Sequence, residues 1–421
     1  MFAFRNQPLK GLFLIYQLLS TLCVRFPLWV LFNAFPFLRP RPSWTLKRAL
    51  LVNLIRVVGR IYNETGPFIK FPNHTAITGG EGVNGVWIPG AGHLLTGDLK
   101  LWAEKAKVAA IRLPGYWYHK ANTSIKVASG PKPNEKVILN FHGGAYIRLS
   151  AHTNDPTANI PFGLLETIPS VKRVFSLEYR LSSSKPFKVA NPFPAALVDA
   201  VAGYNYLVNV VGFSPADIII CGDSAGGNLA HALTRYLVEY QGKPSVDGRT
   251  RVPPPPSALI LLSPWVDLST SHDGHRNASS KTCANSDYIC TRSPGGVAYA
   301  KASFVGPSPR AILEKNPYIS PASRSVAFPG ISFKGFPRTF IVGGGAEVLI
   351  DQIRTFRDRM IRDLGEHGRS EAEGEKGKGK EGMVKYYEAP DAVHDYLVFK
   401  WHEPERTETL KAIALWVEDK A

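Results

Sequence analysis

A serine that acts as a nucleophile must stand clear of the backbone around it. The run Gly222-Asp223-Ser224-Ala225-Gly226-Gly227 has the composition for that. It follows the apolar stretch Asp217–Cys221 and precedes a helical pattern from Gly226 to Tyr240, so Ser224 is expected on a sharp strand-to-helix turn. Glycines flank it because side chains there would strike the adjoining strand and helix. The turn also presents the hydroxyl at the positive end of the helix dipole. A second run, His142-Gly143-Gly144-Ala145, follows the apolar stretch KVILNF. Small residues let backbone N–H groups approach a carbonyl whose oxygen becomes an oxyanion in acyl transfer. One such donor is worth roughly 2.7–4 kcal/mol in the transition state. Gly143 and Gly144 are the expected donors, with Ala225 just after the nucleophile. His142 reads as a structural hydrogen-bonding residue, and His231 as a side chain packed against the sheet.

The surrounding pattern supplies the frame. Strands are expected at Asn84–Pro89, Lys107–Leu113, Lys136–Phe141, Val171–Tyr179, Asp217–Cys221, Ala258–Leu262, Arg338–Val342 and Val384–Glu388. Runs such as VILNF, DIIIC and LILLS are continuously apolar, as strands buried on both faces are. Helical patterns at Pro194–Val208, Gly226–Tyr240, Asp351–Leu364 and Thr407–Glu418 lie between or after them. This alternation predicts an α/β protein: a mostly parallel sheet with helices on both faces. Two stretches break it. Residues 264–337 form an insert too long for a structureless loop and read as a cap. Residues 366–382 are charged and of low complexity, and read as a flexible surface loop. The chain thus divides into an N-terminal part, 1–62, and a body, 80–421, without internal repeats.

The composition, 44% hydrophobic and 20% charged over 421 residues, excludes globally disordered, collagen-like and coiled-coil chains. Four cysteines are too few for a disulfide scaffold; Cys283 and Cys290 lie in one loop-rich stretch, and whether they pair is open. The net charge is +16, and the first 60 residues carry nine basic residues and no acid. From Gly11 to Leu38 the chain is almost wholly apolar, long enough for the ~20 residues that cross a bilayer, but interrupted by Arg25, Pro27 and Pro36. The expectation is a signal anchor or a kinked hairpin in the membrane, with a buried helix of the body as the alternative. Trp44–Tyr62, next to the apolar segment, reads as a basic amphipathic helix with Leu50, Leu51, Leu54 and Val58 on one half and Arg48, Arg56 and Arg60 on the other. It suits an anionic membrane surface; equally, its apolar half packs on the body and its arginines face water. The excess positive charge after the apolar run argues against a translocated body, while four sequons, at Asn63, Asn73, Asn122 and Asn277, argue for a lumenal one. Gly80-Glu81-Gly82-Val83-Asn84-Gly85 matches GxGxxG but opens no helix, so it fails the dinucleotide context. No metal- or nucleotide-binding pattern is present. No cofactor, no metal and no nucleic-acid partner are expected.

With its two glycine-rich motifs, the sequence resembles the hormone-sensitive-lipase-like esterases of the α/β-hydrolase superfamily, the group of arylacetamide deacetylases and fungal steryl acetyl hydrolases. The likeness covers roughly residues 83–420. Glu178-Tyr179-Arg180-Leu181 followed by Pro192-Phe193-Pro194-Ala195-Ala196 is similar to the family's YRL…PFPAAL stretch, and Leu262-Ser263-Pro264-Trp265 opens its cap insertion. The third glycine of the family's HGGG is Ala145 here, a position not expected to donate to the oxyanion. The resemblance implies an α/β-hydrolase fold with an eight-stranded sheet and a helical cap. It also implies an acid and then a histidine after the nucleophile. The family's acid-x-L-x-D pattern falls on Glu347 and Asp351, which makes Glu347 the triad acid and Asp351 the fallback. The family's base falls on His394, in Ala389-Pro390-Asp391-Ala392-Val393-His394-Asp395.

The reading is a serine carboxylic-ester hydrolase that works through an acyl-enzyme. Ser224 attacks, His394 shuttles the proton, and Glu347 fixes its tautomer. The expected substrates are short-chain, acetyl-like esters of hydrophobic alcohols such as sterols or secondary metabolites, with the protein membrane-associated at the endoplasmic reticulum. An amidase or acyltransferase would use the same triad, and a binding protein on this scaffold would lack the histidine. Oligomeric state is open.

Overall fold

The computed structural model describes residues 2–67, 71–246, 248–290, 295–325, 330–367 and 382–419. Eight strands form one sheet: β1 (Asn84–Ile88), β2 (Leu113–His119), β3 (Lys136–Phe141), β4 (Val171–Leu177), β5 (Ile218–Asp223), β6 (Ala258–Leu262), β7 (Arg338–Gly344) and β8 (Val384–Ala389). Their order is β1-β2-β4-β3-β5-β6-β7-β8. β1 and β2 pair antiparallel, as do β2 and β4, and every later pairing is parallel. β5 and β6 are buried along their whole length. The alternation of side chains explains why: Ile220, Leu259 and Leu261 enter the core with helices Ala195–Asn205 and Ala225–Tyr240, while Ile219, Ile260 and Leu262 enter the core with helices Asn159–Thr167 and Glu405–Glu418.

One strand lies elsewhere than expected. Lys107–Leu113 is irregular up to its last residue, and the strand is Leu113–His119. Lys107, at φ 54°, ends the helix Gly97–Lys105 together with a bond from Val108 N–H to the Ala103 carbonyl. The true strand carries Pro114 and Gly115. Gly115 is needed there, because a Cβ would sit 2.2 Å from the Phe175 ring.

Leu9–Ala34 is one helix, long and apolar enough to cross a membrane and hardly buried by the rest of the molecule. Pro27 does not break it. A wide turn at Thr21–Arg25 absorbs the missing donor, and Phe26 N–H reaches back five residues to the Thr21 carbonyl. Arg25 folds back along the helix to Gln17 Oε1 (2.6 Å) and Thr21 Oγ1 (3.2 Å), so its charge is partnered within the apolar segment.

Helix Leu46–Thr65 departs from both orientations expected for it. Arg48, on the basic half, is buried against the body, where it binds both oxygens of Glu405 (2.8 and 2.7 Å) and the Glu403 carbonyl (2.9 Å). Arg56 donates to the carbonyls of Ala284 and Asn285. Leu54 and Val58, on the apolar half, are exposed. Carbonyls and a carboxylate on the body thus claim part of the basic half, which an anionic surface would otherwise attract; Lys47 and Arg60 stay outside. Nor do residues 1–62 stand apart from the body. Phe2 is buried against Phe187 and Tyr299 (ring centroids 4.8 and 5.0 Å), and Trp44 is buried in the core. Helix Gly296–Val305, from the insert between β6 and β7, adds Phe304 against Tyr146 and Phe193 (ring centroids 4.4 and 5.5 Å). Of the charged stretch 366–382, residues 368–381 lie outside the described residues. All four cysteines are free thiols, Cys283 buried and Cys290 exposed.

Candidate active site

Three loops leave the C-terminal ends of parallel strands and meet. The first is the turn after β5. Ser224 holds φ 51° and ψ −116°, a strained setting for a residue with a side chain. It is held by its own N–H on the Leu262 carbonyl (2.9 Å) and by Trp265 N–H on its carbonyl (2.9 Å). The flanking glycines are steric necessities: a Cβ on Gly222 would lie 2.2 Å from the Gly226 carbonyl oxygen, and one on Gly226 would lie 2.0 Å from that of Phe141. The second loop follows β8 and carries His394. The third follows β7 and carries Glu347.

The side chains connect in one chain. His394 Nε2 is 2.9 Å from Ser224 Oγ, and His394 Nδ1 is 2.7 Å from Glu347 Oε2. The other Glu347 oxygen accepts Gly344 N–H at 3.0 Å. Glu347 is fully buried, and Ser224 and His394 nearly so. With the ring proton on Nδ1, donated to Glu347, Nε2 is left as the acceptor for the serine proton. Asp351, the fallback acid, is elsewhere: its Oδ2 accepts Ser279 N–H at 2.7 Å, which ties the cap to helix Ile350–Leu364.

The oxyanion donors need a correction. Gly143 N–H is spent on Asp223 Oδ2 at 2.9 Å, and a Cβ there would meet that same oxygen at 2.3 Å. Gly143 therefore fits the loop against Asp223 and does not face a substrate. Gly144 (φ 105°) and Ala145 (φ 55°) follow in left-handed conformations, and their N–H groups have no acceptor among the described residues. Ala225 is the first residue of its helix, so its N–H has no partner within the helix. His142 behaves as expected: buried, stacked on Tyr179 at 4.4 Å, its carbonyl accepting the Tyr179 hydroxyl. Burial pushes its pKa down to about 4. His231, fully buried on its helix, packs among Phe333, Phe336 and Phe356, and burial lowers its pKa strongly.

Three acids escaped the sequence reading. Asp287, from the cap insert, accepts Val348 N–H with Oδ2 (2.8 Å) and Tyr288 N–H with Oδ1 (2.7 Å), and Oδ1 also receives His394 N–H (3.4 Å). It thus joins the Glu347 and His394 loops. Asp223 and Asp395 lie close to the imidazole. Of the three, only Asp395 carried a signal in the sequence, as an acid directly after the base. All three are raised above the ordinary carboxylate range, by burial first.

A second acid–histidine–hydroxyl set exists and lacks the rest of the machinery. Asp267 Oδ2 is 2.6 Å from His272 Nδ1, and His272 Nε2 is 3.0 Å from Thr355 Oγ1. Thr355 lies within helix Ile350–Leu364, donates to the Asp351 carbonyl and accepts from Arg324. It has no strained turn and no neighbouring glycine loop, so this set reads as a cap-to-body tie.

A family model described as alpha/beta hydrolase fold matches residues 138–376, which contain Ser224 and Glu347 and stop short of His394. An esterase named LipU from Mycobacterium tuberculosis is 24% identical over 315 residues, covering 74% of this chain and 86% of that protein. An acetyl-hydrolase from Streptomyces hygroscopicus is 27% identical over 227 residues, covering 54% of this chain and 62% of its own length. Among solved structures, a hormone-sensitive lipase from a metagenome library superposes with a TM-score of 0.55 at 25% identity, over 88% of this chain and 97% of that one.

Proposed function

The chain belongs to the alpha/beta hydrolase fold family, and from that premise we propose that it is a serine carboxylic-ester hydrolase with Ser224 as nucleophile, His394 as general base and acid, and Glu347 as the orienting carboxylate. One observation carries the reading: the continuous contact Ser224 Oγ to His394 Nε2 to Glu347, at 2.9 and 2.7 Å, on loops from three strand ends. Support comes also from relatives that are named an esterase and an acetyl-hydrolase.

The chemistry follows from the geometry. Ser224 Oγ attacks the acyl carbon as its proton moves to His394 Nε2. The carbonyl oxygen gains charge beside Ala225 N–H and the unspent N–H groups of Gly144 and Ala145. On collapse, the bond to the alcohol breaks, and the alkoxide leaves with the Nε2 proton. Water repeats the cycle on the acyl-serine. No metal or cofactor enters these steps.

For the substrate we propose short acyl esters of hydrophobic alcohols. Support comes from the aromatic surround of the base, with the Tyr288 ring 6.0 Å from that of His394 and Phe399 beyond it, and from the apolar helix Leu9–Ala34 on the same chain. That helix is also the support for membrane association; the endoplasmic reticulum in particular has only the sequons behind it. The test is labelling by a fluorophosphonate probe, expected for wild type and absent for Ser224→Ala, followed by acetate release from sterol and aryl acetates. Labelling that survives in Ser224→Ala overturns the nucleophile. Labelling without release from any lipophilic acetate overturns the substrate class. Supplying an alcohol or an anilide in the same assay separates hydrolysis from acyl transfer and amidase action.

A further inference from the structure

The imidazole of His394 has carboxylates at both ring nitrogens. Glu347 is on Nδ1. On Nε2, the nitrogen that must take the serine proton, Asp395 Oδ2 stands at 3.0 Å, next to Ser224 Oγ at 2.9 Å. Asp395 is buried, and its Oδ1 has no hydrogen-bond partner. It does not arrive there by default. The residue adopts φ 47° and ψ 38°, a left-handed conformation uncommon for anything but Gly, Asn and Asp. Its N–H is fastened to Ser263 Oγ (3.2 Å), and its carbonyl accepts Val398 N–H (2.9 Å). That backbone turn aims the carboxylate of the residue after the base back onto the base.

We propose that Asp395 is a further catalytic residue: its carboxylate, in contact with the reacting nitrogen, binds the imidazolium formed when Ser224 gives up its proton, and so sets the pH range in which the base is free. This rests on the serine-hydrolase reading above. The step is a single proton transfer. The Ser224 O–H bond breaks, the Nε2–H bond forms, and the new positive charge appears against an anion already in place, without reorganisation.

The electrostatics agree. Burial alone would lower the His394 pKa, but Asp395 and then Glu347 outweigh it and raise it. The ionisable groups facing the imidazole are Asp395 and, from other elements, Glu347 after β7, Asp287 and Tyr288 of the cap insert, and Asp223 at the end of β5. Four buried carboxyls cannot all be ionised around one imidazolium, so the cluster shares protons. Of the four, only Asp395 touches Nε2.

The test is the pH dependence of fluorophosphonate labelling in the full chain, which needs no known substrate. Wild type is compared with Asp395→Asn and Asp395→Gly, since both residues accept the left-handed backbone. Removing the anion from Nε2 should move the acid limb of the profile down by about one pH unit or more, so that each variant at the foot of the wild-type limb labels about tenfold faster relative to its own plateau. A merely structural role would lower the plateau and leave the limb in place; a limb unmoved in both variants, or moved upward, overturns the proposal. If wild type fails to label at any pH, the serine-hydrolase reading falls and takes this one with it. If wild type labels and only the limb shift is missing, the hydrolase reading stands and Asp395 is structural.

Discussion

Replacing Glu347 with glutamine changes one atom of the proposed triad and should nearly abolish turnover. Glu347 offers two acceptor oxygens to two donors, Gly344 N–H at 3.0 Å and His394 Nδ1 at 2.7 Å. Glutamine has one oxygen and one NH2 group. Gly344 can only donate, and its backbone is fixed by pairing with Ala389 in the sheet. The amide oxygen must therefore turn to Gly344, and the NH2 group faces Nδ1. Nδ1 then has to accept, the ring proton moves to Nε2, and Nε2 can no longer take a proton from Ser224. An error of tautomer of this kind costs about 10⁴ in kcat, or about 5 kcal/mol of transition-state stabilisation. Hydrolysis of p-nitrophenyl acetate, normalised to folded protein by circular dichroism, measures it. Asp351→Asn is the control: its oxygen can still accept Ser279 N–H, and turnover should stay near that of wild type. Glu347→Gln with near wild-type turnover, or Asp351→Asn falling as far, would refute the assignment.

Four further outcomes are expected. Gly226→Ala should give insoluble or unfolded protein, read by expression and thermal melting, because its Cβ would lie 2.0 Å from the Phe141 carbonyl oxygen at the centre of the sheet. Arg48→Met should cost up to about 3 kcal/mol in urea unfolding, since it strips the cation from a largely buried pair. The pH dependence follows from Glu405: burial would raise its pKa, but hydrogen bonds from His402 and Arg48 outweigh that and hold it at about 2. Its stabilisation is thus full above its ordinary value of 4.5 and lost as pH falls towards 2, and Arg48→Met should flatten that loss. The full chain should float with neutral phosphatidylcholine vesicles and resist salt, because the exposed face is apolar and Arg48 and Arg56 are engaged by the body; binding confined to anionic vesicles and removed by salt would contradict this. Trp44→Phe should lower kcat more than it raises KM, because it removes the indole N–H bond to the Asp391 carbonyl (2.7 Å) in the loop of the base.

The sequence made most of this frame readable, and the exceptions have physical causes. Strands β3, β5 and β6 announce themselves because both faces are buried and each carries a continuous apolar run. β2 hides because Pro114 and Gly115 read as turn residues; only the Phe175 ring across the sheet explains the glycine. Ser224 could be located from its own turn, since strand, glycines and helix are contiguous. The oxyanion donors were off by one, since nothing local to HGGA reveals that Asp223 takes the Gly143 N–H. Asp287 lies 107 residues before His394, in an insert without a regular pattern, and its role exists only once the cap has folded onto the rim. The orientation of helix Leu46–Thr65 was equally invisible, because a helical wheel ranks hydrophobicity and cannot know that Glu405 waits 357 residues away.

These exceptions share a location and a reason. Strands β5 and β7 are held by ladders on both sides and the edge strand β8 on one, but each ladder ends before Ser224, Glu347 or His394 is reached. Beyond that edge each loop needs restraint from outside the sheet. The cap supplies it through Asp287, which binds backbone N–H groups in both the acid and the base loop. The segment after the apolar helix supplies it through Arg41 on the Gly345 carbonyl (3.1 Å), and through Ser43 and Trp44 on the side chain and carbonyl of Asp391 (2.6 and 2.7 Å). Gly345 is two residues from Glu347, and Asp391 is three from His394. The chain that leads out of the exposed apolar helix therefore braces the two loops whose separation fixes the 2.7 Å contact between acid and base. The apolar helix and the proposed catalytic loops are thus joined through the same few bonds, and a substitution in residues 41–44 is expected to act on turnover even where the helix itself is unchanged.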